Sequence, residues 1–317
     1  MTAGAAHNRL RPGRIAWLGL VCVSLVLLAA EAFAARVTVI LSDDSAPYQE
    51  VYQVVRAYLD DSGHDISRVY AESLNPASLG ETRLAVAVGV RAAESLAALP
   101  GRAPVLTVLV PRAWFLKTGR ARLADGGRRS VSAIFLDQPF DRQAQLIRLA
   151  FPDLRRVGVL LSVEQSAVIG ELEEALRAHR LALVHGTLTA EERLITPLEN
   201  VLSEAELLLA VPDPLVFNRN TAQSLFLTSY RYRDPVLGYS RSLTRAGALL
   251  SLHSSPAQIG RQTAEWVNAA MQATQLRLPP PAYPAYFSVS INDQVARSLG
   301  FALPAEAELE KRLGGGH

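Results

Sequence analysis

The 317-residue chain holds one cysteine, two methionines and three tryptophans, and the first scarcity is the most informative. Cys22 lies near the N-terminus, so the rest of the chain can form no disulfide and no cysteine metal site, and packing must supply its stability. No two of the six histidines stand three to five residues apart with a carboxylate to complete a zinc site, so no metal is expected. Neither a Gly-rich loop ending in Gly-Lys-Ser/Thr nor a G-x-G-x-x-G run follows any predicted strand, which argues against nucleotide cofactors. Gly126-Gly127-Arg128-Arg129 precedes a strand rather than a helix and reads as a surface turn, not a phosphate cradle. In Gly238-Tyr239-Ser240-Arg241-Ser242, Ser242 stands where the nucleophile elbow of a serine hydrolase needs its second glycine. No acid and base pair shows a recognisable spacing either, so the chain is not expected to be an enzyme.

What is present points to a folded, exported protein. Hydrophobic residues make up 49% and charged residues 20%, as in globular proteins. Arg9, Arg11 and Arg14 precede an apolar run from Ile15 to Ala30, and Ala32-Phe33-Ala34 offers small residues where a signal peptidase reads them. Residues 1–34 are therefore expected to be a cleavable signal peptide, in preference to a retained membrane anchor, and the periplasm is the expected compartment. Removing them takes away three of 32 basic residues and one of 30 acidic ones, which leaves 29 of each. A neutral chain lacks the clustered positive charge that phosphate binding needs, so no nucleic-acid partner is expected.

Beyond the signal, short β-branched runs alternate with helical periodicity, the pattern of parallel sheets with crossover helices. Val37 to Leu41 reads as a buried strand, and Tyr48, Val51, Val55, Tyr58 and Leu59 then recur at helical spacing. Leu84 to Val88, Pro104 to Val110 and Val131 to Leu136 are further strands, completing a first lobe. A crossing is expected at Asp137-Gln138-Pro139, followed by a helix through Ala144, Ile147, Leu149 and Ala150. A second series follows, with strands at Val157 to Leu161, Leu181 to Val184, Glu206 to Val211, Pro235 to Tyr239, Gly247 to His253 and Tyr286 to Ile291. Helices are expected over Pro256 to Met271 and Gln294 to Leu299, with Pro279-Pro280-Pro281 a stiff connector and 314–317 a frayed tail.

Ligands of open α/β sheets bind beyond the carboxyl ends of the strands. Asp43 or Asp44, Asp137 and Asp213 fall at such ends, although an N-cap role suits each of them too. Tyr239, Ser240 and Arg241 offer an aromatic face, a hydroxyl and a guanidinium fork at another strand end, and His253 closes a further strand.

Three stretches carry a family resemblance. They are Asp141-Arg142-Gln143 through Leu154 to Leu160, then Pro235 to Gly238 with Ala246 to Leu249, and Ile259-Gly260-Arg261-Gln262-Thr263-Ala264-Glu265. With the closing Val289 to Gly300, they make Arg36 to Leu313 similar to ABC transporter substrate-binding proteins of unassigned specificity, which have the type I periplasmic binding protein fold. The resemblance implies an α/β protein of two Rossmann-like lobes with parallel sheets, joined by three crossings that act as a hinge. Lobe 1 would comprise 35–136 and about 254–278, and lobe 2 residues 137–253 and about 279–313. It also implies a monomer that closes on a small solute, such as an amino acid, and delivers it to an ABC transporter permease in the inner membrane.

Under that reading Ser42, Asp43, Asp44, Ser45, Gly89, Val90, Arg91 and Gln138 face the cleft from the first lobe. Gln165, Asp213 and Tyr239 face it from the second, and Ser240 and His253 are further ligand-binding candidates by their places at strand ends. Asp213→Ala and Tyr239→Ala are each expected to weaken binding and leave folding intact. Relatives have small, glycine-containing residues where this chain has Ile134-Phe135-Leu136, and often an acidic and aromatic cluster where it has His253-Ser254-Ser255-Pro256. An altered pocket follows, and so does an alternative role as a periplasmic sensory or scaffold protein that acts on a membrane partner.

Overall fold

The computed structural model describes residues 36–314 apart from 190 and 219, so the expected signal peptide and the last three residues of the tail lie outside the described residues. Five strands form a wholly parallel first sheet in the order β2-β1-β3-β4-β5: β1 (Arg36–Leu41), β2 (Ile66–Tyr70), β3 (Thr82–Val88), β4 (Val105–Val110) and β5 (Val131–Phe135). The central strands β1 and β3 are almost wholly buried because parallel strands take helices on both faces.

The second sheet runs β11-β10-β9-β8-β6-β7: β6 (Arg156–Ser162), β7 (Ala182–Leu188), β8 (Leu207–Leu209), β9 (Val236–Gly238), β10 (Leu250–His253) and β11 (Ser288–Ile291). The expected pair of α/β lobes built on parallel sheets is present, and the second sheet adds one antiparallel edge, where β11 pairs with β10 from Leu250↔Ile291 to His253↔Ser288. The chain reaches β11 after its last return between the lobes and not through a crossover helix on the same sheet, so nothing imposes the parallel sense there.

Helices α1 (Ala46–Asp60), α2 (Val90–Ala97), α3 (Phe140–Ala150), α4 (Ile169–Ala178), α5 (Ile195–Leu202), α6 (Ala222–Tyr232), α7 (Arg241–Ala246), α8 (Pro256–Gln272), α9 (Asp293–Leu299) and α10 (Glu306–Arg312) surround the sheets. The sequence sets the start of α8 plainly. Ser255 accepts from the Gln258 amide at 3.1 Å, the Gln258 side chain accepts from the Ser255 amide at 2.8 Å, and Pro256 occupies the first turn, a capping box worth about 1 kcal/mol. Ile259, Thr263, Ala264, Val267 and Met271 form its buried face. That face lies on α1, where Gly260 lets the two backbones approach: a Cβ there would stand 2.9 Å from Val54 Cβ and 3.2 Å from the Val51 carbonyl oxygen.

Three connections join the sheets, after β5, after β10 and before β11. The third stays beside β5 as far as Ala282, whose amide donates to the Ala133 carbonyl at 2.9 Å and whose carbonyl accepts from the Phe135 amide at 3.0 Å. Among the described residues no helix is long and apolar enough to cross a membrane.

Candidate functional site

At the carboxyl end of β1, the chain turns through 42–45 into α1. Ser42 is 4% exposed, and its hydroxyl donates to the Val88 carbonyl at 2.9 Å and accepts from the Ala92 amide at 3.0 Å. It caps the start of α2 from a neighbouring strand, which its place in the sequence alone could not reveal. Gly89, at φ +89°, is the N-cap of that helix. Ser42 and Gly89 are thus parts of one buried turn. Asp43 and Asp44 are exposed beside them. Asp43 accepts from the Ser45 amide at 2.9 Å, and hydrogen bonds from Ser45, with the Arg91 charge adding to them, hold its carboxyl below the usual range. Ser45 is the N-cap of α1 by backbone geometry alone, Val90 packs at the margin of the core, and Arg91 is exposed, 4.0 Å from Glu72.

On the second lobe, Asp213 is 2% exposed and fully engaged. Its carboxylate accepts from the Ser162 amide at 2.7 Å and the Leu215 amide at 3.0 Å, tying the end of β6 to the loop after β8. Removing this carboxylate is therefore expected to cost stability whatever else it meets. Asp213→Ala strands two amides at about 1–3 kcal/mol apiece and should lower the denaturation midpoint, with Asp213→Asn, which keeps one acceptor, losing less. An Asp213→Ala variant as stable as the parent would contradict this.

Tyr239 is half-buried, edge-on to Phe217 with ring centroids 6.0 Å apart, and burial, with the Asp213 charge, raises its phenol above the usual value. Ser240 is the N-cap of α7, accepting from the Leu243 amide at 3.2 Å. Gln165 lies half-buried in the short 3-10 helix Val163–Val168 after β6. His253 is 8% exposed and its Nε2 pairs with Ser290 Oγ at 2.9 Å. Burial, assisted by the Arg241 charge, pushes its pKa down to about 4, so the imidazole is neutral at pH 7.

Gln138 belongs to the connections. Its Nε2 donates to Ser254 Oγ at 2.9 Å, and Ser254 Oγ donates to the Tyr286 carbonyl at 2.6 Å. Its Oε1 accepts from Arg142 Nη1 at 2.6 Å, and Arg142 also donates to the Pro284 carbonyl at 3.1 Å while its guanidinium lies 4.1 Å from the Phe287 ring centroid. One side-chain network therefore joins all three connections. The bulky Ile134-Phe135 is also absorbed here: Phe135 packs against Phe115 and Tyr283, each with ring centroids 5.6 Å away.

A further group has no signal in the sequence. Arg112, just after β4, forms a 2.7 Å ion pair with Glu171 in the first turn of α4, bringing the segment after a first-sheet strand to a second-sheet helix. Asp137 accepts from the Arg112 backbone amide at 2.6 Å, and burial raises its pKa. Among the described residues no three His, Cys, Asp or Glu side chains gather to hold a metal ion.

Residues 81–310 match the family described as ABC transporter substrate binding protein. Among solved structures, a conserved domain protein of Vibrio cholerae aligns with a TM-score of 0.59 at 19% identity, over 88% of this chain and 98% of its own. A Streptococcus pneumonia ABC domain in complex with L-Trp aligns with 0.59 at 15% identity, over 89% and 99%. The ligand-free, open CD0873 of Clostridium difficile, a substrate binding protein with adhesive properties, aligns with 0.68 at 15% identity, over 86% and 96%. These likenesses establish the fold, and no curated protein matches the sequence significantly.

Proposed function

Because the chain belongs to the ABC transporter substrate binding protein family, we propose that it captures a small solute between its two α/β lobes in the periplasm and presents it to an inner-membrane permease. The observation that carries this reading is the approach of the strand carboxyl ends of one sheet to elements of the other, marked by Arg112 and Glu171, since that is where open α/β sheets bind ligands. Ser42, Gly89, Gln138, Asp213, Ser240 and His253 have structural partners that occupy them. The groups left to meet a solute are Asp43, Asp44 and Arg91 on the first lobe and Gln165 and Tyr239 on the second. Acidic and basic groups together, with an aromatic face, suit a small polar molecule carrying charge.

A thermal-shift screen against amino acids, sugars, nucleosides and small organic acids tests the proposal. A solute at 100 times its Kd should add about 2.7 kcal/mol to stability. Tyr239→Ala should then weaken the solute identified by about tenfold or more, the cost of removing an aromatic anchor. Folded protein that shifts with none of these classes would favour the sensory or scaffold role.

A further inference from the structure

Arg112 and Glu171 sit on different lobes, yet their contact is built on both sides. The Arg112 backbone is held by Asp137 at 2.6 Å, which sets the arginine's position independently of its side chain. Its guanidinium lies 5.7 Å from the ring centroid of Tyr283, on the third connection, and reaches Glu171 Oε2 at 2.7 Å. The second carboxylate oxygen, Oε1, accepts from the Tyr283 hydroxyl at 3.5 Å. Tyr283 is in turn fixed edge-on to Phe135 at the end of β5. First lobe, second lobe and connection thus converge on one carboxylate.

We propose that Arg112 and Glu171 are positioning residues: an ion pair that latches the lobes in the absence of ligand and sets how much of the unliganded protein already has the closed arrangement. A solute that binds the closed form is held with an apparent Kd equal to the intrinsic value divided by the closed fraction, so the pair tunes affinity without touching the solute. The pair is partly exposed, 29% for Arg112 and 44% for Glu171. Such pairs change a two-state ratio by about two- to fivefold, enough to tune an equilibrium and too little to lock it. The tuning of affinity rests on the solute-binding reading above, whereas the latch itself is read without any solute.

The test uses full-length protein carrying Cys22→Ser, with labels at Ala57→Cys on α1 and Leu227→Cys on α6, both exposed. Distances between the labels are measured without ligand in the parent, in Arg112→Gln, in Glu171→Gln, in the double variant and in the charge swap Arg112→Glu with Glu171→Arg. Each single variant should move the population toward the longer separation by about two- to fivefold, the double should move it no further, and the swap should restore it, with melting temperatures close to the parent's. Unchanged distances in the single variants, or additive shifts in the double, would overturn the latch and leave the solute-binding proposal standing on its own screen.

Discussion

At pH 8, Asp234→Asn is expected to melt about 5–10 °C above the parent protein, and at pH 4 the two should melt at about the same temperature. Asp234 is 8% exposed in the turn between α6 and β9, and its Oδ2 is buried without a hydrogen-bond partner. Burial first, and the nearby Glu206 charge second, raise its pKa from 3.8 to about 7, with Arg156 opposing them. Below pH 3.8 the carboxyl is protonated in folded and unfolded chains alike, and its contribution is complete. As pH rises from 3.8 through 7, the unfolded chain ionises while the folded one holds its proton, and stability on the order of 4 kcal/mol is lost. Asparagine has no proton to lose and escapes the penalty.

His253 works with the opposite sign. Its folded pKa, about 4, lies below the ordinary 6.5, so its contribution is complete above pH 6.5 and is lost as pH falls toward 4. In the parent protein the two slopes offset one another between pH 4 and 6.5. In Asp234→Asn the acid loss from His253 should stand exposed as a falling melting temperature. A difference between the two proteins that does not vary with pH would refute the assignment to Asp234.

Gly89→Ala should cost about 3 kcal/mol, read as a lower denaturant midpoint with an unchanged slope. Two separate causes add. The residue sits at φ +89°, which alanine adopts only under strain, and its Cβ would fall 2.5 Å from Ser42 Oγ and 2.9 Å from two ring atoms of Tyr48. Relief would require Ser42 to give up the bonds that bind β1 to β3 and cap α2. Ser42→Ala removes those bonds with no clash and should cost less, about 1 kcal/mol. Equal losses in the two variants would mean that the close approach at Gly89 is unimportant.

Much of this architecture was legible because the central strands are uninterrupted β-branched and apolar runs, and because Ser255-Pro256 with Gln258 marks a helix start by local chemistry alone. What escaped notice lacks such a signal. β2 is an edge strand, Ile-Ser-Arg-Val-Tyr, with an exposed arginine among half-buried residues and without the apolar continuity of its neighbours. α10 buries only Leu309 among its seven residues and reads as a charged tail. The helical stretch from Arg112 to Leu123 includes a π-turn that spoils its periodicity.

The candidate site was legible as a set of strand ends but not as a set of roles. A serine, an aspartate or a glutamine at a strand end looks the same whether it faces a solute or a backbone amide from elsewhere in the chain. Ser42, Gln138 and Asp213 each have at least one hydrogen-bond partner 46 to 116 residues away, which no local pattern announces. Arg112 and Glu171 are 59 residues apart, and neither stands in any motif.

The seating of α8 on α1 bears on how the protein assembles. The helix that covers α1 at Val51 and Val54 is encoded some two hundred residues after them, so a growing chain makes its first sheet well before the cover for that face exists. Contacts of such sequence separation slow folding, because a long loop must close before its ends gain anything. Until Pro256 and the residues after it are available, the apolar side of α1 has only itself or another chain to meet, which makes the half-made protein the form most in need of a chaperone.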